Sequence, residues 1–454
     1  MSATLQDVPR ARVGRKIQPG KTTSNPMRRG PILLATDGTG RSGASVVAAH
    51  LLAERLGVPL EVVSVLEPPP GYGVALGGTP VFLPDAEDLR RADRAEAVQG
   101  FVARFSGGAV PPPLHIRFGA IADEIAQVAR ERSATMVVVG AAPHQRIHRI
   151  IGGERAVHVL RSSDVPVLSV PPGFAALPRN IVVAVDLAPA SVRAAQTALL
   201  LLADGGTLTL LHVLPPLSGD GALRGGGGYS VASVQSFFAK LRDELRRCVD
   251  GPLAIETRIR TDDEIDGIVS TASSMDADLV AVGTRGPRLL ERIFVGSVAS
   301  SVVHAAPQTV LAVPPPPTGE AFELWRRIAG TATSVHPGDW GAALDAFTRR
   351  NFGRWAVVEV HDPAIGAQTL GRGALTGATY DPHDERVEIM IGDAIRPEHH
   401  CTHTVPGVDS IAMTAKEHSD SEVLEVRHGR GHTLVFVARP GTATSAQRES
   451  LPCE

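Results

Sequence analysis

The chain reads as an α/β protein: two consecutive copies of a parallel-sheet unit, then a small α+β domain with a mostly antiparallel sheet. Three observations carry this reading. The first is a repeat. Ile32-Leu33-Leu34-Ala35-Thr36-Asp37 is echoed by Ile181-Val182-Val183-Ala184-Val185-Asp186, each an apolar run that ends in Asp and leads into Ala-rich helical sequence. The second is alternation: β-branched runs take turns with longer helical patterns, as in parallel strands joined by helical crossovers. The third is a change after the four prolines at 314–317, where one helical pattern gives way to short β-type runs.

The elements follow in order. In residues 1–29, Arg10, Arg12, Arg15, Lys16, Lys21, Arg28 and Arg29 face only Asp7, and the segment reads as a disordered basic tail. The first unit, 30–173, places a strand at 32–37, a helix at 45–56, a strand at 60–66 and a long connection over 67–84. Ile121-Ala122-Asp123-Glu124-Ile125 then opens a helix, and strands follow at 135–140 and 165–170. The second unit, 178–315, repeats this with a helix at 191–203, a strand at 207–214, a Gly-rich connection over 215–229, and Asp262-Asp263-Glu264-Ile265 before another helix. Strands at 278–283 and 309–313 complete it. Self-similarity over this length means a duplicated domain rather than a short-period solenoid. The strands are near-continuous in Val, Ile and Leu because parallel sheets are covered on both faces. The expectation is five strands and four helices per unit.

Residues 316–335 read as a linker, stiffened by the prolines, with a short helix over 320–329. In the small domain, 336–440, Asp339 is placed as the N-cap of a helix over 340–350, with Trp340, Leu344 and Phe347 on one face. Strands are expected at 355–361, 386–391, 410–414, 422–427 and 434–438, with a hairpin signal at His428-Gly429-Arg430-Gly431. Residues 441–454 read as a disordered tail. His399, His400, Cys401 and His403 are residue types that bind zinc. A structural zinc site takes four ligands in tetrahedral array, and no second ligand pair stands at zinc-finger spacing. The cluster therefore reads as a histidine-rich loop between strands, and no metal is assigned.

A length of 454 residues suggests roughly three domains at about 150 residues each. The 45 Lys and Arg nearly balance the 48 Asp and Glu, which argues against a dominant nucleic-acid or membrane partner. Cys248, Cys401 and Cys453 are too few and scattered for a disulfide framework, so a reducing compartment, the cytoplasm, is expected. No apolar run approaches the ~20 residues of a membrane span, and the N-terminus lacks the apolar core of a secretory signal.

The most informative stretch is Gly283-Thr284-Arg285-Gly286, nine residues, then Gly296-Ser297. It lies between an expected buried strand and an expected helix. A glycine-bearing loop there brings backbone N–H groups close to phosphate oxygens, and Ser297 stands where an N-cap belongs. In open parallel sheets, ligands bind beyond the carboxyl ends of strands where the strand order reverses. If the strands ending at Asp186 and Gly283 are neighbours, carboxylate and loop flank one crevice.

This spacing, following a strand-one Asp in a duplicated α/β unit, resembles the ATP-binding branch of the universal stress protein family over about residues 30 to 315. The resemblance implies doubly wound five-stranded sheets of order 3-2-1-4-5, paired through their fifth strands as a pseudo-dimer within one chain, with a further homodimer allowed. It implies a bound adenine nucleotide (ATP, ADP or AMP), with room for Mg, and a stress-response regulatory role. The carry-over names Asp186, Gly283, Gly286, Gly296 and Ser297, and Val213 as the place where backbone meets adenine. Arg285 sits in the loop and could balance phosphate charge. In the first unit Asp37, Gly140 and Gly153 remain as a weak second site. There Pro143 stands where the second glycine belongs, removing a donor, and Glu154 replaces the serine, repelling phosphate. The small domain resembles a bacterial domain of uncharacterised function, in Val387-Glu388-Ile389-Met390-Ile391-Gly392-Asp393 and in His400 to His403.

No Gly-x-Ser-x-Gly elbow, Walker-type loop or His-Glu-x-x-His is present. Asp262, Asp263, Glu264 and Asp266 suit the first turn of a helix. Three functions stay open: a nucleotide-binding regulatory module without enzyme activity, a slow ATPase or phosphoryl-transfer enzyme, and a nucleotide-free protein-interaction scaffold.

Overall fold

The computed structural model describes residues 30–67, 84–105, 110–141, 153–214, 231–249, 253–284, 297–314, 324, 328, 333–362, 366–392, 400–415, 422–429 and 431–437. Both tails, most of the two long connections, the run of prolines after Pro314, and Pro143, Arg285, Gly286, Gly296 and His399 lie outside the described residues.

The first unit runs β1 (Ile32–Ala35), α1 (Gly43–Leu56), β2 (Leu60–Leu66), α2 (Pro84–Ala103), β3 (Leu114–Phe118), α3 (Ile121–Glu131), β4 (Met136–Gly140), α4 (Gly153–Ser162), β5 (Val167–Val170). The second repeats it: β6 (Asn180–Ala184), α5 (Pro189–Leu201), β7 (Thr207–Leu214), α6 (Val231–Arg247), β8 (Ala254–Thr261), α7 (Glu264–Ser274), β9 (Leu279–Gly283), α8 (Ser297–Ala305), β10 (Thr309–Val313). All ten strands form one sheet of order β3-β2-β1-β4-β5-β10-β9-β6-β7-β8. Each half is parallel and ordered 3-2-1-4-5. The halves meet where β5 and β10 pair antiparallel, Leu168 opposite Leu311.

Alternation explains the continuous apolar runs. Ile32, Leu34, Met136 and Val138 point into one core, whereas Leu33, Val137 and Val139 point into another on the opposite face. Residues i and i+2 share a face of a strand, so a strand buried on both sides is apolar at most positions. A charged exception lies on β2. Glu61 is buried and accepts from Arg132 Nε and Nη2 at 2.9 and 2.8 Å, and pairs with His115 Nε2 at 2.7 Å.

The small domain comprises β11 (Thr333–Val335), α9 (Trp340–Asn351), β12 (Trp355–Asp362), β13 (Gly366–Asp381), β14 (Arg386–Gly392), β15 (Cys401–Pro406), β16 (Val408–Ala415), β17 (Glu422–His428) and β18 (Gly431–Val437). These eight strands make an antiparallel sheet of order β11-β16-β17-β18-β12-β13-β14-β15. Trp340, Leu344 and Phe347 of α9 pack on one sheet face with Val358, Ile389, Val426 and Val435. Leu434 and Val423 face the other way and join the core of the tandem units.

Two sequence expectations need correction. The segment from Cys401 is strand β15, not a loop, and β13 is a 16-residue strand where none was expected. Asp339 is the N-cap residue of α9 as expected, without a side-chain capping bond, and the Trp340 indole donates to the Val335 carbonyl at 3.0 Å. Helix α8 is described from Ser297 onward.

Candidate functional site

Strand β6 lies between β7 and β9, with Ala184 opposite Leu211 on one side and Val282 on the other. From β6 the chain proceeds outward to β7 and β8, and β9 leads the other way to β10. The order therefore reverses between β6 and β9, the position where open α/β sheets hold ligands.

Asp186 lies two residues past β6. Its Oδ1 accepts the Ala188 N–H at 3.0 Å. Between them Leu187 takes a φ of 66°, which turns the chain from strand to helix. Pro189 then opens α5, where its missing N–H costs nothing and its φ suits the helix. His212 on β7, buried, donates from Nδ1 to the Val185 carbonyl at 2.6 Å and so fixes the chain immediately before Asp186. Sequence reasoning missed His212; the only available signal was a histidine inside an apolar strand.

Gly283 ends β9, the strand that pairs with β6. A Cβ there would meet Ser191 N at 2.7 Å and Ala190 C at 2.8 Å, so the glycine lets the start of α5 cross directly over the strand end. The following residue, Thr284, is buried and donates its N–H to the Val313 carbonyl at 2.7 Å, anchoring the loop to β10. Val213 lies near the end of β7. Its side chain packs toward Gly267 of α7, where a Cβ would meet Val213 Cγ1 at 2.9 Å. Asp186, Val213 and Gly283 thus stand at the carboxyl ends of three neighbouring strands. Ser297 begins the helix that the loop feeds.

The first unit places Asp37 and Gly140 likewise at adjacent strand ends, Ala35 of β1 pairing Val139 of β4, and α4 opens on Gly153. Its chemistry differs. Asp37 Oδ1 accepts from the Thr39 N–H at 3.0 Å and the Thr39 hydroxyl at 2.8 Å. From α2, Arg94 Nη1 donates to the Asp37 carbonyl at 3.1 Å and Arg90 Nη2 to the Glu67 carbonyl at 3.2 Å. The sequence did not show these contacts, because the arginines are more than twenty residues from their partners.

The acidic run at α7 is structural. Asp263 caps the helix, its Oδ1 accepting from Ile265 N at 3.0 Å and Asp266 N at 3.3 Å.

In the small domain no group of three His, Cys, Asp or Glu residues that could hold a metal occurs among the described residues. His403 meets a different partner from the neighbours that the sequence suggested. Its Nε2 lies 3.4 Å from Thr433 Oγ1, and His428 Nε2 lies 3.2 Å from the same hydroxyl. Burial, with a smaller contribution from His428, pushes the His403 imidazole down to about 4.

Residues 28–171 and 178–314 each match the universal stress protein family. The chain belongs to that family. Residues 332–446 match a family of unknown function, DUF5335. Among solved structures, the chain is similar to a universal stress protein from Archaeoglobus fulgidus at 19% identity, covering 63% of this chain and 98% of that one, TM-score 0.48. It is also similar to a universal stress protein in complex with cAMP at 21% identity, covering 30% and 98%, TM-score 0.24. A third is the Archaeoglobus fulgidus protein in complex with dAMP at 22% identity, covering 31% and 97%, TM-score 0.22. No curated protein matches the chain. No helix among the described residues of this universal stress protein is long and apolar enough to cross a membrane.

Proposed function

We propose that the second universal stress protein unit binds an adenine nucleotide, ATP or its ADP and AMP forms, and that the chain serves as a stress-response regulator rather than an enzyme. The observation that carries this is the meeting of Asp186, Val213 and Gly283 at three adjacent strand ends where the strand order reverses. A carboxylate there accepts from ribose hydroxyls. Strand-end backbone groups suit a nucleobase edge. The loop from Gly283 to Ser297, with Arg285, Gly286 and Gly296, supplies amides and a helix N-terminus to phosphates, with Mg admissible beside them. Nucleotide occupancy would act by differential affinity for two conformations. In this reading the first unit is a partner held in place through the β5–β10 pairing, an intramolecular pseudo-dimer that leaves further homodimerisation open. The setting is the cytoplasm.

The test has two parts. Mass spectrometry of small molecules released from the purified protein should find an adenine nucleotide. Calorimetry should show ATP binding lost in Gly296→Glu, which sets a carboxylate against phosphate, and weakened in Asp186→Ala. Unchanged ATP affinity in a folded Gly296→Glu protein defeats the site assignment. Steady ATP turnover that disappears in Asp186→Ala defeats the non-enzymatic reading.

A further inference from the structure

Helix α5 differs from its counterpart α1. In α1 the buried residues, Ser45, Val46, Ala48, Ala49, Leu52 and Ala53, form one stripe, and Glu54 is exposed. In α5 eleven of thirteen residues are buried. A helix apolar on every side must be covered on every side.

Three contacts hold it, and one large apolar cluster contains it. At its N-terminus, Ala190 and Ser191 press on Gly283 at the proposed nucleotide cleft. One turn on, buried Arg193 donates from Nη1 to the Pro314 carbonyl at 2.8 Å, at the point where the chain leaves the second unit for the small domain. Along its length, Val192, Ala195, Ala198 and Leu199 share one apolar cluster with Leu324 and Ile328 of the connecting segment and with Val423 and Leu434 of the small domain's sheet. Beyond its last turn, the Leu202 carbonyl accepts from Arg55 Nη2 of the first unit at 3.0 Å.

From this arrangement we infer that α5 couples the two ends of the chain: nucleotide in the second unit strengthens docking of the small domain, and docking of the small domain strengthens nucleotide binding. The inference rests on the nucleotide reading of the second unit and adds its output. A ligand seated beside Gly283 and Asp186 fixes the start of α5. A rigid helix passes that constraint to Arg193, which holds the exit of the linker, and to the apolar cluster that Leu434 and Val423 join. Coupling between two binding events is reciprocal, so either end reports on the other.

Amide hydrogen exchange on the full chain, with and without ATP, tests this. All three tryptophans, Trp325, Trp340 and Trp355, lie at or beyond the connecting segment, so tryptophan fluorescence follows that part alone. The expected result is at least about fivefold slower exchange in β17 and β18 on ATP addition, the lower end of ordinary coupling. In Arg193→Ala, which lies outside the proposed nucleotide contacts, ATP should still bind and the slowing should shrink or vanish. Leu434→Asp should release the small domain and weaken ATP binding about fivefold or more. If fluorescence shows that Leu434→Asp unfolds the small domain, Arg193→Ala decides. ATP binding with exchange in β17 and β18 unchanged overturns the coupling alone, as does slowing that persists undiminished in Arg193→Ala. Absence of ATP binding to the wild-type chain overturns the nucleotide reading and the coupling with it.

Discussion

The two copies of the unit allow one substitution to be made twice at equivalent positions, with opposite expectations. Gly283→Ala places a Cβ 2.7 Å from Ser191 N, 2.8 Å from Ala190 C and 3.0 Å from Ala190 Cβ. Two of these are main-chain atoms, so no rotamer change relieves the contact. The helix cannot back away either, because α5 is buried on nearly every side. Overpacking of this kind costs about 1–3 kcal/mol, and the fixed surroundings put the cost at the upper end. Gly140→Ala meets nothing nearer than Ser45 Oγ at 3.6 Å, ordinary van der Waals contact. Replacing glycine where the new side chain fits stabilises by about 0.4–1 kcal/mol through the unfolded chain. The two variants should therefore differ by about 2–4 kcal/mol. Urea denaturation followed by far-UV circular dichroism measures the difference, and ATP calorimetry should find binding weakened only by Gly283→Ala. Equal stability of the two variants, or greater damage from Gly140→Ala, would refute the claim that Gly283 exists to let α5 cross the strand end.

Three further expectations follow from individual side chains. Asp263→Ala removes the cap from α7 and should cost about 1 kcal/mol, read as a lower urea midpoint with unchanged slope. Glu61→Gln should cost about 1–3 kcal/mol, below the full value for a buried pair because Arg132 is half exposed. The hydrogen bond from Arg132, then that from His115, holds the Glu61 carboxyl below its ordinary value of 4.5. Its contribution is thus present above pH 4.5 and lost as pH falls through its folded value, and Glu61→Gln should flatten that loss in an acid titration of stability. His403 works at higher pH. Its folded value of about 4 lies below the ordinary 6.5, so the unfolded chain takes up the proton first and stability falls as pH drops from about 6.5 toward 4. Tryptophan fluorescence during urea unfolding should show a loss of up to about 2 kcal/mol in the small domain over that range, and His403→Leu should abolish that pH dependence.

The tandem fold was legible because its signals are redundant. The central strands are Val-, Ile- and Leu-rich runs, helices connect them, and every element occurs twice. The small domain lacked that support. Strand β13 carries Gly366, Gly371, Gly373 and Gly377, which read locally as turns. Their purpose lies across the sheet: a Cβ at Gly377 would meet Met390 Cε at 2.7 Å and one at Gly371 would meet Ile391 Cδ1 at 2.5 Å. Glycine that makes room for a neighbouring strand looks, in one sequence, like glycine that ends a strand. Strand β15 was hidden by its histidines. His403 faces the same interior as Ile389, its cross-strand partner, and finds Thr433 there. The candidate site divides similarly. The strand-end placement of Asp186 and Gly283 follows from the duplicated pattern, whereas His212, Arg193 and the α2 arginines act through partners remote in sequence, which periodicity cannot reveal.

The departures of the first unit from the second are best understood together. At the phosphate side, Pro143 lacks an N–H and Glu154 brings a negative charge. At the opposite side, guanidinium groups of α2 occupy the carbonyls of Asp37 and Glu67. The first turns of α6 in the second unit, Val231-Ala232-Ser233-Val234-Gln235, offer no cation for that purpose. These two bonds are charge-assisted, each stronger than a neutral one, and they tie the ends of β1 and β2 to α2. The two first helices diverge in the same sense, since α1 keeps a solvent-facing side and α5 is buried on nearly every side. Duplication supplied two equivalent clefts. One has its strand ends held by the protein's own side chains, and the other sits against the helix that leads to the rest of the chain.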